Sequence, residues 1–325
     1  MRAENGTRYW AVPGREGFAH ILGGLEKDSN TGAISTNPEN HDLMTRLRQQ
    51  KIANIQVPDL EVDGDADADL LQALFGRNGE SPMPVLAATS PTDCFDAAYQ
   101  ACKIALEHMT PVVLLTDAFV ANGSGAFKLP DITKLDAINP PYVPEELKGK
   151  WTPYMRAENG TRYWAVPGRE GFAHILGGLE KDNQTGAIST NPENHDLMTR
   201  LRQQKIANIQ VPDLEVSGDV DDADLLIVGF GSTYGHLHSA MDELRAAGKK
   251  VAQAHFKFLN PLPANTAEVL SKYKKVVVAE QNMGQLAAYL RMKVDGFVPY
   301  QFNQVKGQPF VVEELVTAFT EIINK

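Results

Sequence analysis

The stretch DADLLIVGFGSTYGHLHSAMDELRAAGKKV, residues 222–251, decides the fold class of this chain. It begins with the apolar run Leu225–Val228, which is typical of a strand buried on both faces. The glycine-rich loop Gly229–Gly235 follows. Three apolar residues then recur at the spacing of a buried helix face: Leu237, Met241 and Leu244. The stretch therefore predicts a strand, a tight loop and a helix over 236–247, with Gly248 as its C-terminal cap.

The same alternation continues to the end of the chain. Three further strands are predicted from apolar runs, at 251–256, at 276–279 and near Val298. Three helices are predicted between and after them, over 264–273, 283–292 and 311–323. Strands that alternate with helices form parallel sheets with helices on both faces. We therefore predict an α/β domain over 223–325.

An earlier part of the chain predicts a smaller α/β unit. Val85–Ala88 is a short apolar strand and Pro111–Thr116 is a longer one. Between them, Ser90 is the expected N-cap of a helix with Pro91 at its first position. One apolar stripe of this helix is expected to face the core: Phe95, Ala98, Tyr99, Cys102 and Leu106. Strand, helix and strand in this order predict one βαβ unit of a buried parallel sheet.

Residues 1–65 recur at 155–219. The two copies differ only at Ser29/Asn183, Asn30/Gln184 and Asp63/Ser217. A repeat that occurs twice, with unrelated sequence between, lacks the regular period of a solenoid. No strong strand is predicted in either copy, and a connector helix is predicted in each, over about 38–52 in copy one with Asn37 as N-cap. We interpret copy one as a duplicated or misjoined piece of copy two, the alternative being a designed tandem element.

Composition excludes some classes of function. A net charge of -10 argues against nucleic acid or anionic membranes as the main partner, because both would repel the chain. No apolar run is long enough to span a bilayer and residues 1–20 lack a signal-peptide core, so a cytoplasmic location is expected. Cys94 and Cys102 are expected to be buried thiols. An iron–sulfur cluster typically takes more cysteine ligands than these two, and would have to lie on another chain.

The Gly229–Gly235 loop has more than one interpretation. It joins a strand to a helix and leaves amides free to hold an anion, as a dinucleotide site requires. Its spacing is GxGxxxG, however, and the next strand ends in His255-Phe256-Lys257, without the acidic residue that holds a ribose. The alternatives are a tight turn with close helix packing, or a contact with an anion or a partner subunit.

Three other polar groups lie where sites can form. Glu280–Asn282 follow a strand at its carboxyl end and suit polar recognition or a subunit contact. Asp117 ends its strand in the same way, although such aspartates are more often turn or cap residues. Arg77, Asn78 and Glu80 precede the first strand and either contact a cofactor or close a surface turn. No histidine has cysteine or carboxylate at metal-ligand spacing, so no metal site is predicted and the catalytic residues stay unknown.

Several stretches resemble the alpha subunits of 2-oxoacid:ferredoxin oxidoreductases, most closely those of the 2-oxoglutarate type. They are GRNGESPMPVLAATSPTDCFDAAYQACKIALEHMTPVVLLTD (76–117), GREGFAHILGGLEKDNQTGAISTNPENHDLMTRLRQQKI (168–206), the 222–251 stretch and VVVAEQNMGQLAAYLR (276–291). The resemblance runs colinearly from about residue 70 to residue 325. It implies a partial pyrimidine-side thiamine-binding domain over 67–133, a linker and connector helix over 134–222, and a transketolase C-terminal-like domain over 223–325. Residues 1–66 are the duplicated linker copy.

The resemblance also implies a function. The family uses thiamine diphosphate, shared with a beta subunit that holds magnesium and an iron–sulfur cluster, to convert a 2-oxoacid and coenzyme A to acyl-CoA while reducing ferredoxin. Family members carry a YPITP-type segment and a GPSTGLPT-type loop ahead of the stretch that begins here near Ala68, where this chain has copy one. We therefore expect the chain to be inactive alone. The alternatives are a non-catalytic assembly module for the beta subunit and a nucleotide-binding oxidoreductase.

Removal of the first copy tests the duplication. A chain lacking residues 1–66 is expected to keep the solubility and melting temperature of the full chain, because copy one lacks the neighbouring strand that follows copy two. Expression yield and thermal unfolding of the two chains measure this. A clear loss of either property would mean that copy one is integrated into the fold.

Overall fold

The computed structural model describes residues 69–174 and 177–325, together with residues 27, 28, 31, 33, 35, 37, 39, 40, 43 and 44. The chain divides into two units between Val62 and Asp63, and the architecture below is that of the second. The connector helix predicted over 38–52 lies mostly outside the described residues. The division of the chain into four parts stays a prediction.

The second unit contains most of the predicted helices and strands, together with further short elements. The helices are α1 (Leu70–Phe75), α2 (Cys94–Glu107), α3 (Ala118–Asn122), α4 (Pro192–Ala207), α5 (Tyr234–Ala246), α6 (Thr266–Lys272), α7 (Gln285–Lys293) and α8 (Val312–Asn324). The strands are β1 (Val85–Ala87), β2 (Val113–Leu115), β3 (Val216–Gly218), β4 (Leu225–Phe230), β5 (Val251–Phe256), β6 (Phe258–Asn260), β7 (Val276–Glu280) and β8 (Tyr300–Asn303).

The larger sheet has the strand order β3-β5-β4-β7-β8. β4 pairs in parallel with β5 and with β7, and β7 pairs in parallel with β8, which confirms the predicted parallel sheet. At one edge β3 runs antiparallel to β5, with Val216 opposite Ala254. No strand was predicted there, in copy two of the repeat, because a three-residue edge strand is too short to show an apolar alternation.

Helices cover both faces of this sheet, as predicted. All residues of β4 are buried, because its side chains alternate between two faces that each carry helices. One face packs Leu225 and Ile227 against α5 and α8. The other packs Leu226 and Val228 against α1, α6 and α7. Full burial of each such side chain contributes roughly 1.5–3 kcal/mol, which makes β4 the centre of the core.

The smaller sheet has the strand order β2-β1-β6. β1 and β2 are parallel, with Val85 opposite Val113, which confirms the predicted βαβ unit. β6 was not predicted. It follows β5 after Lys257 and pairs antiparallel with β1, and the amide of Ala87 donates to the Lys257 carbonyl over 2.9 Å. The two sheets are therefore joined through the segment that runs from β5 into β6.

Helix α2 begins three residues later than its predicted first position. Ser90 is not its N-cap; the Ser90 hydroxyl oxygen accepts a hydrogen bond from the Asp93 amide over 3.2 Å, which closes a turn ahead of the helix. The Asp93 carboxylate in turn accepts from the Thr89 amide over 3.0 Å. This turn fixes the polar residues that follow β1.

The face of α2 that meets the sheet is not the predicted one. Ile104 is buried with Leu86 of β1, whereas Ala98, Cys102 and Leu106 are exposed. The expectation of buried thiols is therefore wrong for Cys102, and Cys94 is only partly buried. The helix carries two competing apolar stripes, and the packing of β1 and β2, which helical periodicity does not contain, decides between them.

The predicted glycine-rich loop is shorter than expected. β4 extends into it and α5 begins at Tyr234, so that only Gly231–Thr233 remains as a turn. A Cβ atom on Gly229 would lie 2.4 Å from Leu237 Cδ1, which means that close helix packing requires this glycine. Beyond α5, Gly248 has a φ of 80°, which confirms the predicted C-terminal cap.

Helix α4 is the connector helix of copy two, and its start follows the predicted chemistry. The Asn191 side chain accepts a hydrogen bond from the Asn194 amide, and Pro192 occupies the first helical position. At 16 residues α4 is the longest helix of the described ranges. No helix in those ranges is long and apolar enough to cross a membrane.

The Glu280 carboxylate, at the end of β7, holds the first turn of α7. One oxygen accepts from the Leu286 amide over 2.6 Å and the other from the Ala287 amide over 3.0 Å. Asn282 donates to the same carboxylate over 3.0 Å. Burial raises the pKa of Glu280, and these hydrogen bonds oppose the shift. Glu280 and Asn282 therefore serve the fold instead of facing a ligand.

The substitution Glu280→Gln tests this assignment. Because both carboxylate oxygens accept from backbone amides, the glutamine NH2 group would face one of these donors, and we expect a loss of about 1–3 kcal/mol in the free energy of unfolding. Urea unfolding at pH 7 measures it, with Glu268→Gln at an exposed position of α6 as the control. Equal midpoints for both variants and the parent would contradict the assignment.

Candidate functional site

A pocket of about 580 Å³ opens where the carboxyl end of β1 meets the end of β5. The turn after β1 supplies hydroxyl and carboxylate groups, and β5 with the start of α5 supplies amide, imidazole and phenol groups. The polar side chains that carry the argument below are Thr89, Asp93, Tyr234, Gln253, His255 and Lys257. Sites of α/β proteins lie at this end of the strands.

An ion pair closes one side of the pocket. The Lys257 ammonium lies 2.6 Å from the Asp93 carboxylate, which also accepts from the Thr89 hydroxyl over 2.9 Å. Burial acts to raise the pKa of Asp93, but the hydrogen bonds from Lys257 and Thr89 bring it below its ordinary value. Asp93 is therefore ionised at neutral pH and is held on the wall of the pocket.

His255 presents a nitrogen without a partner. Its Nε2 lies 3.0 Å from the Gly231 carbonyl, so in the neutral ring Nε2 carries the hydrogen and Nδ1 carries a lone pair. Nδ1 is buried and bonds to nothing in the described part of the chain. Burial lowers the pKa of His255 to about 4. At neutral pH the ring suits a hydrogen-bond acceptor better than a general base, whose pKa should lie near the working pH.

Two aromatic rings and one side-chain amide form the surroundings of His255. The Tyr234 ring meets the imidazole edge to face, with ring centres 5.2 Å apart. The Tyr234 ring also stacks with the His238 ring at 5.5 Å, and His238 Nδ1 lies 2.9 Å from the Gln253 side-chain oxygen. The polar side chains of this wall are therefore held in place by one another.

The turn Gly231–Thr233 is tied to the smaller sheet. Ser232 Oγ donates to the Asp117 carboxylate, and the other Asp117 oxygen accepts from the Val120 amide over 2.8 Å. The interpretation of Asp117 as a cap residue is confirmed, because it is the N-cap of α3. The loop thus uses its Ser232 hydroxyl within the protein, which favours the turn-and-packing interpretation over a dinucleotide site.

The residues predicted to bind a cofactor lie elsewhere. The Arg77 guanidinium donates to the carbonyls of Ala73, Leu74 and Ser81, with the last bond at 2.8 Å, and so covers the end of α1. Asn78 and Glu80 are exposed. Four hydrogen bonds of the Arg77 guanidinium go to backbone carbonyls, which leaves one of its five N–H donors for another partner. The cofactor role of these three residues stays a prediction.

Asn78 and Glu80 nevertheless border a pocket of about 820 Å³ that also contacts α4. Among the residues that the structure describes, no group of three or more histidine, cysteine, aspartate or glutamate side chains could hold a metal ion.

Sequence reasoning missed His255 and Lys257 as site residues. In the sequence they mark only the absence of an acidic residue after β5, and a histidine within a strand is more often a core residue. A signal was present in the polar string Thr89–Asp93, which follows the first strand. The partner of that string comes from β5, more than 150 residues away in sequence, and this pairing depends on β6, which the apolar pattern does not reveal.

Comparisons with known proteins agree with the fold. Residues 29–186 match the family described as pyruvate flavodoxin/ferredoxin oxidoreductase, thiamine diP-bdg, and residues 223–315 match pyruvate:ferredoxin oxidoreductase core domain II. The 2-oxoglutarate oxidoreductase subunit KorA of Mycobacterium tuberculosis is 50% identical over 251 residues, 76% of this chain and 38% of the relative. The 2-oxoglutarate synthase subunit KorA of Methanothermobacter marburgensis is 26% identical over 225 residues, 68% of this chain and 58% of the relative.

A solved structure is similar as well. It is the 2-oxoglutarate:ferredoxin oxidoreductase from Magnetococcus marinus with 2-oxoglutarate, coenzyme A and succinyl-CoA bound, at 31% identity and a TM-score of 0.70. The match covers 79% of this chain and 45% of that chain.

The matched families and the sheet with helices on both faces define a subunit of a thiamine diphosphate-binding class of oxidoreductase. The chain belongs to the alpha-subunit family of 2-oxoacid:ferredoxin oxidoreductases, and the resemblance seen in the sequence is confirmed. The chain spans less than two thirds of the length of the relatives described above.

The pH dependence of stability tests the state of His255. Its lowered pKa means that the unfolded chain binds a proton between about pH 6.5 and 4 while the folded chain resists it, so stability falls as the pH drops through this window. We expect the parent chain to lose about 1–3 kcal/mol in the free energy of unfolding across this window. The variant His255→Gln should not show this loss, because glutamine does not titrate and its Nε2 can still donate to the Gly231 carbonyl.

Urea unfolding at pH 4.5 and pH 7 measures this difference. His195→Gln, at a histidine whose side chain is 67% exposed, is the control for a histidine substitution. The same pH difference in the parent and in His255→Gln would contradict a buried neutral imidazole.

Proposed function

We propose that the chain serves as part of the alpha subunit of a thiamine diphosphate-dependent 2-oxoglutarate:ferredoxin oxidoreductase. The reaction is the oxidative decarboxylation of the 2-oxoacid to acyl-CoA, with electrons passed to ferredoxin. The observation that carries the proposal is the 50% identity over 251 residues with a 2-oxoglutarate oxidoreductase subunit. The similar solved structure, which holds 2-oxoglutarate and coenzyme A, supports the same substrates.

Cofactors and partners follow from the same proposal. Thiamine diphosphate, when bound, supplies the group that stabilises the carbanion left by decarboxylation. The sequence has two cysteines, fewer than an iron–sulfur cluster typically takes, which supports placing the cluster on the beta subunit together with magnesium. No step of the reaction is assigned to Arg77, Asn78 or Glu80. The cytoplasmic location stays a prediction.

The contribution of this chain is to hold the polar wall of the pocket in place. The β1 and β5 ends place His255 and the Asp93–Lys257 pair on one polar wall. The His255 Nδ1 atom is buried beneath this wall. Because the pKa of His255 is about 4, the ring is neutral at neutral pH, and it fixes the shape of the wall instead of acting as a general base.

A second candidate function is an assembly module that binds the beta subunit without supporting turnover. The specific observation is that large apolar side chains of α2, of α3 and of the segment after α3 stay exposed: Leu106 at 41%, Phe119 at 49% and Phe127 at 47%. Exposed apolar side chains are found at protein contact surfaces. These side chains suit contact with a partner subunit whether or not the complex is active.

Reconstitution separates the two functions. The full chain is mixed with the beta subunit from the same source, and complex formation is measured by size-exclusion chromatography. Reduction of a viologen dye that needs both 2-oxoglutarate and coenzyme A is the expected result for the oxidoreductase. A complex without dye reduction would support the assembly module, and no complex with no reduction would contradict both. Omission of coenzyme A is the control for the acyl-accepting step.

A further inference from the structure

A cluster of positive side chains lies in the linker and connector helix, outside the site described above. We define the connector cluster as Arg156, Arg162, Arg202 and Lys205. Arg156 and Arg162 face each other across an antiparallel β-bridge. Directly opposed residues of such a bridge have Cβ atoms about 4.5–5.5 Å apart, and like charges there repel each other. The backbone thus places two guanidinium groups side by side.

The bridge packs against α4, which carries the other two members. A Cβ atom on Gly160 would lie 3.6 Å from the Lys205 Cα, so the bridge turn rests on the helix backbone. Arg156 Nη1 donates to the Gly160 carbonyl over 2.7 Å, and Lys205 Nζ donates to the Met109 carbonyl over 2.9 Å. The four cations are therefore gathered on one part of the connector and are all half-buried.

The cluster lacks the carboxylates that would neutralise it. In residues 69–174 and 177–325, no carboxylate pairs with Arg156, Arg162 or Lys205. Arg202 lies 3.5 Å from Glu180, but the same carboxylate also bonds to His195 at 2.7 Å. Arg156 Nε is buried and has no hydrogen-bond partner. Half-buried charges without counter-charges are costly, and buried cations are normally paired.

The electrostatic consequence is visible at Lys205. Burial lowers its pKa to about 8, and the charges of Arg156, Arg162 and Arg202 add to the shift. Burial and the neighbouring guanidinium groups likewise lower the pKa of Arg156 to about 10. His108, which packs nearby with Nδ1 3.4 Å from the Thr161 hydroxyl, adds no negative charge. An anion at this place would oppose the part of these shifts that comes from the neighbouring positive charges.

Space for such an anion adjoins the cluster. Arg202 and Lys205 line the pocket of about 820 Å³, together with the Thr199 hydroxyl. Its other rim carries Asn78 and Glu80, two residues that the sequence singled out for a cofactor contact. The volume lies within the range of about 300–1,000 Å³ that small-molecule sites occupy.

We infer that the connector cluster binds a phosphate-type oxyanion, carried as the phosphate ester or diphosphate of a small molecule. In the described ranges, the one carboxylate that pairs directly with the cluster is Glu180, which His195 shares, and the pocket lining adds Glu80 and Asp196, the latter paired with Arg200. Four cations against these carboxylates leave an excess of positive charge, which a group with one negative charge would not balance. A phosphate ester carries about -1.5 to -2 charges at pH 7 and offers three acceptor oxygens. Guanidinium groups bind such oxyanions through paired N–H donors. The site is independent of the proposed function, because it needs no turnover.

The test measures how readily the Lys205 amine is acetylated in the full chain. Acetic anhydride at pH 8 is expected to acetylate Lys205 readily, and inorganic diphosphate at constant ionic strength to protect it at least fivefold. Trypsin then yields the peptide 203–245, which contains Lys205 and Ser217. Copy one contains the same cations, with Lys51 in the place of Lys205. Its peptide 49–77 contains Asp63 where the other peptide has Ser217, so the two peptides differ in mass and the two lysines are measured separately.

Variants locate the anion. Arg202→Gln is expected to raise the diphosphate concentration needed for half-protection of Lys205 at least tenfold. Arg291→Gln, at an exposed position of α7 outside the pocket lining, is the control and should leave it unchanged. If Arg202→Gln fails to fold, Arg162→Gln serves with the same expectation.

Two further arms identify the source of the oxyanion. Coenzyme A and thiamine diphosphate are tested at concentrations where diphosphate protects Lys205. Protection by one of them would identify it as a ligand. Protection by diphosphate alone would indicate that another phosphate compound binds at the site. All three results support the site. Equal protection by sodium chloride, or no protection by any phosphate compound, would overturn it. Protection by the beta subunit alone would overturn it as well and assign the cluster to partner carboxylates.

Discussion

The backbone pairing of β6 with β1 is the constraint on which the rest of the second unit depends. The chain leaves the larger sheet at the end of β5, passes through Lys257 and adds an antiparallel strand to the smaller sheet. The Ala87 amide and the Lys257 carbonyl, 2.9 Å apart, mark the crossing. A parallel βαβ unit of only two strands is too small to be stable alone, and this third strand completes it.

The same crossing explains the polar pocket. Because β5 ends where β1 ends, His255 and Lys257 come to the edge at which the turn Thr89–Asp93 emerges. The Lys257–Asp93 ion pair bridges the two sheets at 2.6 Å. Half-exposed ion pairs contribute little to stability. The apolar packing around β4 and the backbone pairing of β6 therefore hold the sheets together, and the ion pair mainly fixes the orientation of the pocket wall.

Much of the larger sheet could be predicted from the sequence. Leu225–Val228 and Val276–Ala279 are buried on both faces, and such runs have few alternatives in an alternating α/β chain. The stripe of α2 could not be predicted, since two apolar stripes compete on that helix and only the position of Leu86 beneath Ile104 decides between them. Short strands such as β6, with residues from Phe258 to Asn260, carry too little pattern to be recognised.

The site was predictable only in part. Asp117 was expected to be a cap, and it is one. Glu280 was left open between recognition and a subunit contact; it proved to hold α7 instead, because its carboxylate reaches two amides of that helix. Lys205 gave no signal at all, since its surroundings come from a β-bridge more than 40 residues earlier. Residues whose chemistry depends on distant partners need the three-dimensional arrangement to be recognised.

Hydrogen exchange of the full chain tests the joining of the two sheets most directly. The amide of Ala87, which bonds to the Lys257 carbonyl, is compared with the amides of β4 at the centre of the larger sheet. If β6 makes the two sheets one cooperative unit, Ala87 exchanges with nearly the same protection as β4. Rapid exchange of Ala87 beside a fully protected β4 would show that the smaller sheet opens by itself, and would contradict the account.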